Sequence, residues 1–294
     1  MTYAKLVLTT LFWGGTFIAG RIAAAQIGPF SGALGRFLVA SLALWILLRL
    51  RGERLPRLDR RGWLLVCAMA LTGLIGYNAC FFLGLRQVDA GRASLIIALN
   101  PVFITIGSAL VFRERLPRLG LIGITVSLLG AALVITRGDL RQVSAGFGPG
   151  ELFILGAVLC WLAYTLLGKA ALRRLTPLAA TAYASLVGCL GLLPLAALLE
   201  SGNWSFPSTQ LLLALAYLGL FGTAIGFVWY YDALRQLGPA RTGIFLNLVP
   251  LFGVLLGFFL LGERLALPTL FGGGLVVAGV VMTNRSRNSR TAVD

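Results

Sequence analysis

Ten apolar stretches of about 20 residues each run along this chain, separated by short polar or basic links. They fall near 5–25, 31–49, 63–86, 91–112, 118–136, 150–170, 177–198, 209–236, 241–261 and 267–283. Roughly 20 apolar helical residues cross the hydrocarbon core of a bilayer. The runs do not alternate apolar and polar residues, so the β-barrel solution does not fit them. The pattern predicts an all-α membrane protein of ten transmembrane helices. The first run continues past the length of a signal core, with no small-residue cleavage site before a soluble domain. It is therefore expected to be the first span.

The links carry orientation. With the N-terminus placed in the cytoplasm, that face holds Lys5, six arginines from Arg49 to Arg61, Arg113, Arg115, Arg118, Lys169, Arg173, Arg174, Arg235, Arg241, Arg285, Arg287 and Arg290, which is 18 of the 25 basic residues. The other face holds six, and Arg36 falls within the second span. Positive residues favour the cytoplasmic side, so both termini are expected there, in a cell inner membrane. A net charge of +15 in a soluble protein would point to nucleic acid. Here the charges are spread over the links, so lipid headgroups, not nucleic acid, are the expected contacts. Only 12% of residues are charged against 58% hydrophobic, too few charges for a soluble domain. The chain has no histidine, and its four cysteines lie inside apolar segments. Histidine-based zinc sites and Ser–His or Cys–His catalysis are excluded, and no metal or cofactor is expected. No phosphate-binding loop is present, which argues against ATP-driven transport by this chain alone.

The chain repeats itself. Residues 85–130 align without a gap to 234–279, at an offset of 149. Leu85-Arg86-Gln87 recurs as Leu234-Arg235-Gln236, Pro101 as Pro250, Phe103 as Phe252, and Glu114-Arg115-Leu116 as Glu263-Arg264-Leu265. Gly123 and Gly130 recur as Gly272 and Gly279. In the early helices Trp13 matches Trp161 and Pro29 matches Pro177, at an offset of 148. Two repeats follow, over 1–139 and 150–286, of five spans each. Five is odd, so the second repeat enters the membrane upside down. Inverted repeats can offer one central site to either side in turn, which is the basis of alternating access.

The residues also resemble a known family, the EamA branch of the drug/metabolite transporter superfamily. Phe12-Trp13-Gly14-Gly15 is similar to the family's opening Trp-Gly segment. Pro29 with Gly35-Arg36-Phe37 resembles its second-helix entry. Asn100-Pro101 and Val249-Pro250 resemble its central prolines, and Arg113-Glu114-Arg115-Leu116 and Gly262-Glu263-Arg264-Leu265 its Glu-Arg helix ends. The resemblance covers both halves. It implies ten helices around a central cavity and export of small metabolites; a monomer is expected. The nearest likeness is to exporters of aromatic and neutral amino acids.

The mid-depth aromatic and polar residues are the candidate binding set: Trp13, Thr16, Tyr77, Asn78, Phe81, Asn100, Trp161, Tyr164, Tyr183, Trp229 and Asn247, with Tyr230 in the same zone. Aromatic walls stack on flat or apolar groups, and amides pair with carboxylate or ammonium. Pro101 and Pro250 are expected to bend the middle of their helices as hinges or gates. Arg36 is expected to snorkel to the membrane surface or to sit in a structural pair. Asp232 is expected to pair with Arg235, and Glu114 and Glu263 with a neighbouring Arg. No carboxylate falls at mid-membrane, so a facilitator is expected rather than a proton antiporter. The competing readings are proton antiport of other metabolites or drugs, a lipid-modifying membrane enzyme, and an accessory subunit.

Overall fold

The apolar runs become helices wherever capping chemistry lets them start, and among the described residues every regular element is helical. The computed structural model describes residues 1–88, 93, 96–113, 118–136, 139, 148–200, 207–261 and 267–285. In chain order, α1 is Thr2–Ala24 and α2 Pro29–Leu50. Helix α3 (Arg60–Met69) passes through a π-helical segment, Ala70–Gly76, into α4 (Tyr77–Leu85). Then come α5 (Asn100–Phe112), α6 (Arg118–Thr136), α7 (Pro149–Ala171) and α8 (Pro177–Leu199). Helix α9 (Thr209–Gly219) passes through a second π-helical segment, Leu220–Ile225, into α10 (Gly226–Leu237). Helix α11 (Pro239–Ile244), a 3-10 turn (Phe245–Asn247), α12 (Leu248–Leu261) and α13 (Leu267–Arg285) complete the chain.

The starts have local causes. Asp59, Thr176 and Ser208 cap α3, α8 and α9 by accepting the amides of Gly62, Ala179 and Leu211 at 2.7, 3.1 and 3.1 Å. Pro29, Pro149, Pro177 and Pro239 open their helices, where a missing N–H is harmless.

Six helical stretches are long and apolar enough to cross a membrane: Thr2–Ala24, Pro29–Leu50, Arg60–Gly84, Pro149–Ala171, Pro177–Leu199 and Thr209–Leu237. Their outer surfaces are apolar, with Leu42, Trp45, Leu190, Leu198 and Leu213 exposed. Such a belt is stable against lipid and not against water. The stretches expected as spans near 118–136 and 267–283 form the helices α6 and α13, which fall among the shorter apolar helices. The stretches around the central prolines differ from expectation. Pro101 is the second residue of α5 and Pro250 the third of α12, so each proline restarts a helix rather than bending one. A proline in the first turn has no amide bond to lose, so the break falls ahead of it.

The long helices pack antiparallel. Glu200 at the end of α8 accepts the amides of Phe30 and Ser31 at the start of α2, at 2.9 and 2.8 Å. At their other ends Thr176 donates to Glu53 at 3.2 Å. Helix α1 lies against α9 and α10, with Lys5 near Asp232 and Trp13 near Gly222. One face thus gathers residue 2, the 51–59 loop, the 172–176 turn and Gln236. The opposite face gathers the 25–28 turn, Glu200 and Ser208.

Helices α6 and α13 cross on glycines. A methyl added at Gly130 would come within 2.6 Å of both the Gly272 carbonyl oxygen and the Val276 amide. One added at Gly123 would meet the Gly279 carbonyl at 2.7 Å. The glycines of the repeat motif therefore pack within one chain, where their missing side chains let two backbones touch. Gly130→Ala puts a carbon against rigid backbone and is expected to cost about 1–3 kcal/mol, read as a lower melting temperature in detergent. The exposed Gly274 has nothing within 4 Å of an added Cβ, and Gly274→Ala should melt unchanged or slightly higher.

Candidate functional site

The two π-helical segments organise the centre of the molecule. A π turn bonds i to i+5 and leaves a local carbonyl short of its usual partner. In lipid that carbonyl has to be satisfied by protein. In the second segment, the Gly222 carbonyl accepts Trp13 Nε1 at 2.9 Å and Arg36 Nη2 at 3.1 Å. Thr223 Oγ1 accepts Arg36 Nε at 2.7 Å and itself donates to the Leu218 carbonyl, five residues back, at 3.0 Å. In the first segment, the Leu74 carbonyl accepts Asn78 Nδ2 at 2.7 Å. The segments begin 150 residues apart and end 149 apart (70 to 220, 76 to 225), close to the repeat offset.

Next to these segments lies a cavity with an open mouth. Its wall is largely aromatic. Trp13 and Trp161 meet edge to face at 5.4 Å, Tyr77 packs on Trp161 at 5.4 Å, and Tyr77 stacks on Phe81 at 5.7 Å. Seven of the expected residues line it: Trp13, Thr16, Tyr77, Asn78, Phe81, Asn100 and Trp161. They come from α1, α4, α5 and α7, so both halves of the chain contribute.

The other candidates lie elsewhere. Tyr164 is buried behind Trp161 at 5.4 Å, and Tyr230 lies under Trp13 at 5.4 Å. Tyr183 donates to the Pro56 carbonyl at 2.6 Å and packs on Trp63. Trp229 packs on Phe12 and on the cluster around Ala40 and Leu44. Asn247 is buried and donates to Ser127 at 3.0 Å, while its neighbours Leu246 and Val249 reach the wall. Neither Pro101 nor Pro250 lines the cavity.

The sequence reading kept Arg36 out of the binding set, as a snorkelling or structurally paired charge. It does not snorkel. It turns into the protein, lines the cavity, and lies over the rings of Phe37 and Phe227 at 5.5 and 5.8 Å. Its signal was the lone charge inside an apolar helix, which marks function by default. Phe17 and Phe227 also line the wall and were missed. Nothing in their spacing separates a cavity phenylalanine from a packed one. Glu114 and Glu263 lie outside the described residues. Asp232 is nearer to Lys5, at 3.2 Å, than to Arg235, at 3.7 Å. Among the described residues, no group of three Cys, Asp or Glu side chains gathers as a metal site.

The cavity is asymmetric in depth. It follows the later half of α1 through Gly20 and Ala23, and the start of α2 at Gly32, toward the 25–28 turn. On the other side Tyr164, Tyr230 and Tyr231 are almost fully buried, with Tyr164 and Tyr231 at 5.3 Å and Tyr230 bonded to Thr165 at 3.1 Å. Beyond this plug, loops and helix ends are tied together, among the described residues by Lys5–Asp232 at 3.2 Å, Asp59–Arg174 at 2.8 Å and Tyr183 to Pro56, besides Thr2–Gln236 and Thr176–Glu53. The Gly62 amide, then the Arg174 guanidinium, hold the Asp59 carboxyl below the usual carboxylate range.

An apolar belt, helices broken at the centre and an aromatic cavity between them are the build of a multi-pass membrane protein. The chain belongs to the EamA-like transporter family, whose model matches residues 1–136 and again 148–285. It is 28% identical, over 95% of its length and 92% of the relative's, to the uncharacterized transporter YyaM of Bacillus subtilis (strain 168). An uncharacterized transporter of Archaeoglobus fulgidus is 31% identical over 98% of both chains. A protein of Streptantibioticus cattleyicolor named "probable terminal-alkyne amino-acid exporter" is 33% identical over 95% of this chain and 92% of its own. One crystal structure superposes with a TM-score of 0.82 over 100% of this chain and 99% of that one, at 20% identity, and so shares the fold.

The lowered Asp59 pKa fixes the sign of a pH effect. A carboxyl with a depressed folded pKa stabilises fully above its unfolded value, ~3.9, and loses that contribution as pH falls through the folded value. Asp59→Asn should therefore melt below the wild type at neutral pH, and the gap should close as pH falls below about 3.9 and through the folded value. Melting curves in detergent across the acid range check this.

Proposed function

We propose that the protein is a ten-span facilitator, built as two inverted five-helix repeats, that exports aromatic and neutral amino acids or similar small metabolites by alternating access. The cavity between the halves carries this reading: its wall is aromatic with a few amide and hydroxyl groups, which suits a small amphipathic solute. The contacts between halves support the inversion. Gly123 faces Gly279 and Gly130 faces Gly272, and the sequence repeat equates Gly123 with Gly272 and Gly130 with Gly279. Such reciprocal pairing is what a two-fold relation between the halves produces. The repeat boundaries are taken as 1–139 and 150–286.

The membrane placement follows the charges. The face holding the 51–59 loop and the 172–176 turn carries Arg51, Arg54, Arg57, Arg173 and Arg174, so it is assigned to the cytoplasm. Both described chain ends belong to that face. Thr2 bonds to Gln236 there, and Thr283 near the end of α13 bonds to Gly120 at the start of α6. The cavity then opens away from the cytoplasm, and the tyrosine layer seals the inner side. A monomer in an inner membrane, with lipid and solute as its partners and no cofactor or nucleic acid, is the form proposed. Among the described residues the cavity wall carries no carboxylate, which favours facilitation over proton antiport.

Purified protein in liposomes tests this. Labelled phenylalanine and small neutral amino acids should enter faster than into empty liposomes, and an imposed proton gradient should not change the rate. Trp161→Ala removes a central wall and should raise KM about tenfold, equivalent to roughly 1.4 kcal/mol. Failure to move any amino acid would overturn the cargo, and a required gradient would overturn facilitation.

A further inference from the structure

We propose that Arg36 is the carboxylate anchor of the cavity, and that the unpaired amide oxygens of Asn78 and Asn100 receive the ammonium group of the same solute. The site would thus read the zwitterionic backbone of a free amino acid. The inference rests on the reading that the cavity holds the cargo, and it names how the cargo is held.

Three observations carry it. First, Arg36 is the only charged side chain on the cavity wall among the described residues, and its hydrogen bonds go to a carbonyl and a hydroxyl. These neutral groups fix the guanidinium in place without cancelling its charge. A buried charge without a counter-ion is costly, and a solute carboxylate would supply one. Second, the guanidinium has five N–H donors, of which one on Nε and one on Nη2 are used. Three remain at the Nη end, where a carboxylate takes two in parallel. Third, two residues of the same wall each carry a buried acceptor with no hydrogen-bond partner among the described residues. Asn78 is 2% exposed and Asn100 3%, and the Oδ1 of each has no hydrogen-bond partner. For Asn78 the orientation is fixed, because its Nδ2 donates to the Leu74 carbonyl. Its oxygen is therefore the free end, and a buried acceptor left unpaired calls for a donor.

The wall would then divide the solute. The backbone charges go to Arg36 and to the amides, while Trp13, Tyr77 and Trp161 take the side chain. That division favours apolar side chains but requires the carboxylate.

The experiment compares three probes that share a ring: phenylalanine, phenethylamine, which lacks the carboxylate, and 3-phenylpropionate, which lacks the ammonium. In liposomes the wild type should transport phenylalanine with a KM at least tenfold below that for phenethylamine. Arg36→Gln should abolish the preference for the carboxylate, bringing the ratio of the phenethylamine KM to the phenylalanine KM down to about one. Arg36→Lys, which keeps the charge but not the paired donors, should fall between. Equal KM values for the two probes in the wild type would overturn the anchor while leaving the transport reading intact, and this comparison needs no variant to fold. If none of the probes crosses, thermal shift in detergent decides. Phenylalanine and 3-phenylpropionate should raise the wild-type melting temperature and phenethylamine should not. Carboxylates that shift it no more than the amine would overturn the anchor. A carboxylate-specific shift without transport would uphold the anchor and sink the transport reading.

Discussion

The Gly222 carbonyl, with Trp13 and Arg36 both bonded to it, is the contact on which the rest of the centre depends. A bilayer offers no water to a carbonyl released from a helix ladder, so irregular backbone survives only where protein satisfies it. The π turn of Leu220–Ile225 releases such a group at mid-span. The side chains that answer it come from α1 and α2, in the other half of the chain. One local departure from α-helical bonding thereby joins the halves, orients Trp13 toward Trp161, and holds a cation in an otherwise apolar interior.

The surrounding parts follow from this junction. Trp13 and Trp161 form the floor of the cavity, and the tyrosines beneath them close the path toward the arginine-rich loops. Among the described residues, the ion pairs at that closed end are partly exposed, with Asp59 and Arg174 about half open to solvent. Exposed ion pairs contribute little stability, so such a seal is cheap to break. The α6–α13 crossing is different in kind. Glycines there bring backbone against backbone, which resists sliding. The molecule thus pairs a rigid crossing with lightly tied ends, a combination suited to opening first on one side and then on the other.

Much of this was legible in the sequence, and the misses share a cause. The six long apolar helices and the matched Trp13 and Trp161 follow from composition and repetition alone. So does the small-residue face of Gly123, Gly130, Gly272 and Gly279, because close packing leaves a sequence trace. The π segments left none that could be separated from ordinary helix, since their glycines, such as Gly73 and Gly222, also suit tight packing. Arg36 was misplaced for that reason: the carbonyl and hydroxyl that hold it inward exist only because of the π turn. The sequence put Pro101 and Pro250 near the middle of their spans, each disrupting its helix one turn back; in the structure each stands in the first turn of a helix, second in α5 and third in α12. Tyr183, Trp229 and Asn247 lie at plausible depth yet turn away from the cavity, because depth is set by position in a span and facing by tertiary packing.

The most direct measurement is thiol labelling of Phe17→Cys, on the cavity wall of α1, in a protein whose Cys67, Cys80, Cys160 and Cys189 are replaced by serine. A membrane-impermeant maleimide would be added to sealed vesicles of each orientation, with and without a solute that the liposomes transport. A central cavity with alternating access predicts labelling from the side of the 25–28 turn, slowed several-fold by the solute. Labelling from the arginine-rich side alone, or a rate indifferent to every transported solute, would contradict it.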